Sequence, residues 1–455
     1  MIQPLIKHVI EPLVAHREGS DHLKELAKLE RSQYFSPDRI AELQFERLRA
    51  LLTYANDHCR FYARRLSEAG INPARITGPD DINSLPPITK RDIQNSTDDM
   101  LSDEYVRDML VLNQTGGSTG APLRFYVNRE RFFSRKAATY RHDRWSGWDI
   151  GHKMGVLWGN RVDFAAANSI KARLRSHWYD RRLILDTSNI TSENFAEFDR
   201  ALNAYRPHVY LAYANAMFLF ARYLKEKGGD YYRPRAVITS AELLTDEQRQ
   251  LIQEVFDCPV FNRYGCRETS MIASECEHHQ GMHIAAEHIL LQIERPVNGD
   301  NTDTPGKIIV TDLLNFGQPL IRYQIEDMGI PVDGTCSCGR GLPMMKLAGG
   351  RVTDFLVTPD NRVVSGAAMT IYFVATVPGV AQAQLVQREK DFLVLRIVRN
   401  DRFGDDSYKK IAEKVQEFFG PDMRHDLEFV DAIPSTASGK HRFSISELDP
   451  MEYLV

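Results

Sequence analysis

The sequence predicts an α/β protein built as two units, residues 1–350 and a smaller α+β unit over residues 351–455. Apolar strand-like runs alternate with amphipathic helical stretches, the arrangement of a sheet core covered by helices. The chain has 455 residues, more than one ordinary hydrophobic core serves. After Gly350 the pattern tightens into short strands around one helix, a set of about 100 residues and so of ordinary domain size.

In chain order, Ile2, Ile6, Val9, Ile10, Leu13 and Val14 fall at near-helical spacing. Such a stripe is expected to pack on its own domain rather than on a membrane or partner, and Pro4 and Pro12 weaken any single long helix. Residues 44–63, 195–205 and 217–227 read as amphipathic helices. Strands are expected at 123–127, 154–158, 209–211, 236–238 and 307–310. Beyond Gly350 the expected elements are strands at 355–357, 392–398 and 427–430 and a helix from 406 to 419.

Composition narrows the function. With 57 Lys and Arg against 61 Asp and Glu, net charge is −4, and no basic footprint for nucleic acid is present. No run of about 20 uncharged apolar residues suggests a transmembrane segment, and the opening residues lack the apolar core of a signal peptide. A cytoplasmic location is the expectation. Six cysteines in such a chain point to metal or catalytic sites before disulfides.

Four separated segments carry the chemistry. Residues 115–122 (TGGSTGAP) group Thr115, Gly116, Gly117, Ser118, Thr119 and Gly120, whose amides and hydroxyls suit a phosphate. This is not a Walker loop, because Ala121 and Pro122 follow Gly120. Alone it reads equally as a hairpin turn. Residues 264–268 (YGCRE), 322–327 (RYQIED) and 438–442 (SGKHR) add an aromatic followed by an acid, a late acid and a lysine. Together they suggest one nucleotide site assembled from distant parts, activating a carboxylate with ATP.

In these motifs, from Ser32 to Phe443, the chain resembles the adenylate-forming acyl-CoA synthetases, specifically their phenylacetate-CoA ligase and CapK-like branch. The resemblance implies a large N-terminal domain with mixed β-sheets and flanking helices, and a small mobile C-terminal domain. It implies that residues 115–120 hold the ATP phosphates, that Tyr264 lies by the adenine and that Glu268 helps hold Mg2+. Ser240, Ala241 and Glu242 resemble the segment flanking adenine, Asp327 the acid that accepts from the ribose hydroxyls, and Arg351 an interdomain arginine. Lys440 resembles the lysine that bridges the carboxylate and the α-phosphate. Two positions depart from the wider pattern: Ala121 replaces a lysine, and Thr353, with Asp354 beside it, stands at the hinge.

Cys276, His283, Cys336 and Cys338 form a Cys3His set, and some members of the branch carry a comparable structural Zn2+ knot. His279 is the alternative ligand. Cys266, inside YGCRE, has no evident activating base and reads as a neighbour of the pocket; Cys59 and Cys258 read as buried structural residues. Trp158 and Asn160, with Tyr210, Tyr213, Ala214, Asn215 and Phe218, are candidates to line the acid's pocket.

The implied reaction is formation of acyl-AMP from a carboxylic acid and ATP, then transfer to coenzyme A. An amine acceptor, giving an amide ligase, or a carrier protein shares the first step. A reading of another class is a non-catalytic nucleotide- or acyl-binding partner in polysaccharide assembly, which Ala121 and Thr353 favour. The resemblance also implies a homodimer.

Overall fold

The computed structural model describes residues 2–114, 123–159, 175–187, 190–295, 305–349, 355–366, 369, 373, 376–433, 444–448 and 450–453. Strands β1 (Leu110–Gln114) and β2 (Arg124–Asn128) pair antiparallel. Next come β3 (Met154–Trp158), β4 (Arg182–Asp186), β5 (Val209–Tyr213) and β6 (Ala236–Ser240). They are followed by β7 (Val260–Cys266), β8 (Ser270–Glu275), β9 (Met282–Ile284) and β10 (Ile289–Glu294). β11 (Gly306–Asp312), β12 (Tyr323–Val332) and β13 (Met344–Gly349) complete the set. From β3 onward these strands form one eleven-stranded sheet in the order β10-β11-β12-β13-β9-β8-β7-β6-β5-β3-β4. β4, β3, β5, β6 and the start of β7 run parallel, and from β7 to β10 the ladder is antiparallel.

The parallel half is apolar on both faces because helices cover both. Leu157, Tyr210, Ala212 and Val237 pack under helices Ser192–Tyr205, Ala214–Lys227 and Asp246–Phe256 through Phe195, Phe198, Phe220 and Phe256. Their alternates Val156, Leu211 and Ile238 face Ile6, Leu26, Leu29, Ala137 and Trp148. Thr191 and Thr245 start two of the helices with capping boxes to Asn194 and Gln248.

After the large sheet, β14 (Phe355–Val357) and β15 (Val363–Ser365) pair antiparallel. Alternation splits this hairpin: Phe355 and Val363 join the cluster of Phe195, whereas Leu356 and Val364 join that of helix Asp405–Phe419. That helix covers a four-stranded sheet, β16 (Val380–Glu389), β17 (Phe392–Arg399), β18 (Arg424–Phe429) and β19 (Ser444–Ser446), in the order β18-β17-β16-β19.

Three expectations need correction. Residues 2–18 are helical throughout despite both prolines: a π segment at Ile6–Ile10 precedes Pro12, which sits in the first turn of Glu11–Glu18, where its missing N–H costs little. The apolar stripe is divided, with Ile6 buried and Ile2, Val9 and Leu13 exposed. The helix expected over residues 44–63 is two, Pro37–His58 and Arg60–Glu68. Cys59 is extended between them, and the His58 carbonyl accepts from the Asp103 N–H at 3.0 Å.

Helix Arg129–Trp145 was not legible, since it shows no apolar stripe: Arg131, Arg141, His142 and Asp143 are buried with Trp145. Its arginines enter ion pairs, Arg131 with Asp312 at 2.8 Å and Arg141 with Glu287 at 2.6 Å. Paired burial avoids the cost of isolated charge. Among the described residues no helix is long and apolar enough to cross a membrane.

Candidate active site and metal centre

Parallel strands end together, so their carboxyl ends open onto one crevice, the usual ligand position in an α/β sheet. Trp158 ends β3, Tyr213 ends β5 and Ser240 ends β6, with Tyr213 and Ser240 directly paired. The Trp158 and Tyr213 rings lie 4.3 Å apart and form an aromatic wall. Ala214, fully buried, and Asn215 begin the following helix. Glu242 accepts from the Asn215 backbone N–H at 2.8 Å, and Gln248 donates to the Asn215 side chain at 2.6 Å. Ala241, between Ser240 and Glu242, has φ +67°, a left-handed backbone costly for alanine and typical of ligand clamps.

β7 and β12 bring the acidic motifs into the same region. The Tyr264 hydroxyl donates to Asp327 at 2.9 Å, so two residues 63 positions apart meet directly. The Tyr323 hydroxyl donates to Glu268 at 2.8 Å, and Glu268 is buried. Gly265 is required between them: a Cβ there would lie 2.5 Å from the Ser270 carbonyl, where β7 bulges against β8. Two arginines from helix Arg129–Trp145 brace the turn after Cys266. Arg135 donates to the carbonyls of Arg267 and Glu268 at 3.2 and 2.5 Å, and Arg131 to that of Thr269 at 2.8 Å.

The structure thus brings together Trp158, Tyr213, Ala214, Asn215, Ser240, Ala241 and Glu242 at the strand ends, and Tyr264, Glu268 and Asp327 across β7 and β12. Tyr210 is excluded from the pocket, since it is buried against Phe256 and donates to the Tyr232 carbonyl at 3.1 Å. Phe218 packs with the core under the sheet. Thr115, Gly116, Gly117, Ser118, Thr119, Gly120, Ala121, Asn160, Arg351, Thr353, Asp354 and Lys440 lie outside the described residues. Sequence reasoning missed Tyr323, Arg131, Arg135 and Gln248. Tyr323 stands inside the quoted segment 322–327, beside Arg322. Cys266 makes no nucleophile: burial, then the Glu268 charge, pushes its thiol up to about 12. Cys59 is held at about 12 by burial in the same way, while Cys258 is half-buried rather than buried.

The second centre is a knot of four potential ligands. The ligand atoms of Cys276, His283, Cys336 and Cys338 all lie within 4.8 Å of one another. The Cys276 and Cys336 sulfurs are 3.6 Å apart, and Cys338 Sγ is 3.4 Å from His283 Nε2. His283 Nδ1 lies 3.3 Å from the Leu342 carbonyl, which selects the tautomer that leaves Nε2 free to ligate. Backbone N–H groups of His278 and Arg340 donate to the sulfurs of Cys276 and Cys338 at 3.5 and 3.4 Å. These features fit a closed tetrahedral metal site. His279 is not part of it; its Nδ1 is engaged with Glu275 at 3.2 Å.

Comparison with known proteins agrees with this architecture. Residues 356–447 match the family model described as the CapK C-terminal domain. The chain is 26% identical over 415 residues to Protein CapK of Staphylococcus aureus, covering 90% of this chain and 89% of that one. It is 24% identical over 345 residues to the phenylacetate-coenzyme A ligase of Pseudomonas putida, covering 74% and 76%. Its fold is similar to a crystal structure of 2-hydroxyisobutyryl-CoA ligase with 2-HIB-AMP and CoA, with TM-score 0.62, 18% identity and 92% of both chains covered. Over most of its length the chain is thus similar to CapK and to phenylacetate-coenzyme A ligase, and its fold is that of a CoA ligase structure. The crevice at the ends of β3, β5 and β6 is the candidate active site, and the knot lies across the turns after β8 and β12.

Proposed function

We propose that the protein is an AMP-forming acid–thiol ligase. A carboxylate oxygen attacks the α-phosphorus of ATP, the bond to the bridging oxygen breaks, and pyrophosphate leaves with the charge. The thiol of coenzyme A then loses its proton and attacks the acyl carbonyl, expelling AMP. The contact that carries this reading is Tyr264 to Asp327 at 2.9 Å, which joins the two segments assigned to adenine and ribose.

Asp327 accepts from the ribose hydroxyls, and Tyr264 orients that carboxylate while lying by the adenine. Ser240 and Ala241 border the base, with Glu242 anchored by Asn215. The loop at 115–120 supplies amides and hydroxyls to the phosphates. Lys440 is the cation assigned to the carboxylate and the α-phosphate, the sort of charge that dominates rate in anionic transition states. Glu268, oriented by Tyr323, is the residue that would hold Mg2+, whose chemistry is to neutralise the phosphate oxygens. Trp158, Tyr213, Ala214 and Asn215 shape the acid's pocket. A small unit over residues 351–455 rotates near Arg351 and Thr353, withdrawing Lys440 before thiol attack. Cys276, His283, Cys336 and Cys338 would hold a structural Zn2+, which would tie the two turns together rather than take part in catalysis.

The test is ATP consumption with aryl, arylacetic, fatty and amino acids, with mass detection of acyl-AMP and with coenzyme A added or withheld. AMP plus a thioester supports the ligase. Acyl-AMP without a thioester redirects the second step to an amine or a carrier protein. A second reading, a non-catalytic partner in polysaccharide assembly, draws on the wider coverage of the CapK relative and on Ala121; binding of ATP with no adenylate from any acid favours it.

A further inference from the structure

The phosphates of the proposed reaction lack one of their expected cations, because Ala121 stands where the wider pattern has a lysine. The amides and hydroxyls of residues 115–120 donate hydrogen bonds but carry no full charge. An arginine lies beside the start of that segment. Arg267 Nη1 donates to the Gln114 carbonyl at 3.2 Å, and Gln114, the last residue of β1, is followed in the chain by Thr115. Arg267 is itself followed by Glu268, the acid assigned to the same phosphates. One side chain therefore joins the end of β1 to the turn after β7, the two places from which the phosphates are held in the proposed reaction.

Arg131, Arg135 and Arg267 all meet at this turn, in different settings. Arg131 is buried, pairs with Asp312 at 2.8 Å and donates to the Thr269 carbonyl. Arg135 donates to the carbonyls of Arg267 and Glu268. Both come from helix Arg129–Trp145 and hold the main chain of the turn. Arg267 belongs to the turn itself, is only part-buried and reaches across to β1. A guanidinium is always charged and carries five N–H donors in a planar fork, so a bond to one carbonyl is compatible with others to phosphate oxygens. Arg124, exposed and paired with Gln114 across the hairpin, is another cation at this end of the two strands. Arg267 is the better placed, because it also adjoins Glu268.

We infer that Arg267 supplies to the β- and γ-phosphates of ATP the positive charge that position 121 lacks. This rests on the reading of the chain as an ATP-using ligase. A charge-assisted contact of this kind holds ATP and the departing pyrophosphate, whereas AMP, which has neither of those phosphates, is not held by it.

The experiment measures binding of ATP and of AMP by the full chain, by Arg267→Gln, by Arg124→Gln and by the double variant Arg267→Gln, Ala121→Lys, over a range of salt. Glutamine keeps an N–H donor for the Gln114 carbonyl and removes the charge. Arg267→Gln is expected to weaken ATP about ten- to a hundredfold, to leave AMP within about twofold, and to flatten the dependence of ATP binding on salt. A merely structural tie to β1 would not move that salt dependence. The double variant is expected to recover most of the loss. If Arg267→Gln lowers the unfolding temperature, the double variant decides, since a lysine at 121 restores ATP binding only where charge was what was lost. The inference is overturned by equal losses for ATP and AMP, by unchanged ATP affinity, by failure of the lysine to restore it, or by a selective loss in Arg124→Gln alone. Acyl-AMP formation by the parent is followed separately. A parent that binds ATP but makes no adenylate contradicts the ligase and not this assignment, and a parent that binds no ATP contradicts both.

Discussion

The crevice and the Cys/His knot are both assembled from segments far apart in the chain, but they are held by different means. In the crevice each functional carboxylate has a protein partner: Tyr264 for Asp327, Tyr323 for Glu268 and the Asn215 N–H for Glu242. Arg131 and Arg135 then fix the turn that carries Glu268. The knot has three sulfurs and one imidazole within 4.8 Å and only weak donors around them. Its two turns are joined by Glu277 to Arg340 at 3.0 Å and by the Ser337 N–H to Gln280 at 3.0 Å, and a bound ion would add to these. The carboxylates of the crevice are thus held by protein donors, whereas the four potential ligands of the knot would be joined to one another by an ion.

The largest effect that would break this contrast is in the crevice. Glu268→Gln is expected to lower the rate of acyl-AMP formation by about a hundredfold or more, since it removes charge from a preorganised site. Steady-state pyrophosphate release checks it, and unfolding should change little. At the knot the expectation reverses. Cys336→Ser should reduce bound zinc from about one ion per chain toward none and lower the unfolding temperature. Elemental analysis with thermal melts reads both, and unchanged zinc would remove Cys336 from the ligand set.

A third test concerns the charges beneath the crevice. Burial, the largest influence, holds His288 at about 4 against an ordinary 6.5. Its Nδ1 lies 3.3 Å from Arg131 and its Nε2 3.1 Å from Glu25, so the neutral ring accepts from the arginine and donates to the carboxylate. A depressed histidine binds its proton more readily when unfolded, so the stability it contributes is full above pH 6.5 and is lost as pH falls toward 4. The loss is roughly 3 kcal/mol by the usual conversion. Denaturant unfolding across that window should show it, with a flatter profile in His288→Asn. The smallest effect is expected from Tyr323→Phe, which leaves Glu268 in place without its donor: about a tenfold lower adenylation rate, a fraction of the Glu268→Gln loss. If the two variants lose equal activity, orientation rather than charge governs this carboxylate.

Much of the architecture was legible because its signals are local. The runs at Met154–Trp158 and Phe355–Val357 coincide with β3 and β14, and the helix expected over 195–205 lies within Ser192–Tyr205. Tyr264, Glu268 and Asp327 were found through short motifs, and the Cys3His set through residue type. What sequence could not supply were partners set by tertiary contact. Arg131 and Arg135 sit on a helix whose charges face inward, against every expectation of surface arginine. The break at Cys59 comes from Asp103, 44 residues later. The stripe at residues 2–14 has helical spacing, but only the fold reveals that Ile6 turns inward and Leu13 outward.

The central claim is that distant segments form one site that joins a carboxylate to ATP through Lys440. It is tested most directly by mass detection of acyl-AMP with the parent protein and Lys440→Ala, alongside ATP binding by each. The expected result is adenylate from the parent, a loss of orders of magnitude in the variant, and ATP affinity changed far less. Equal acyl-AMP formation by the two proteins would contradict the account.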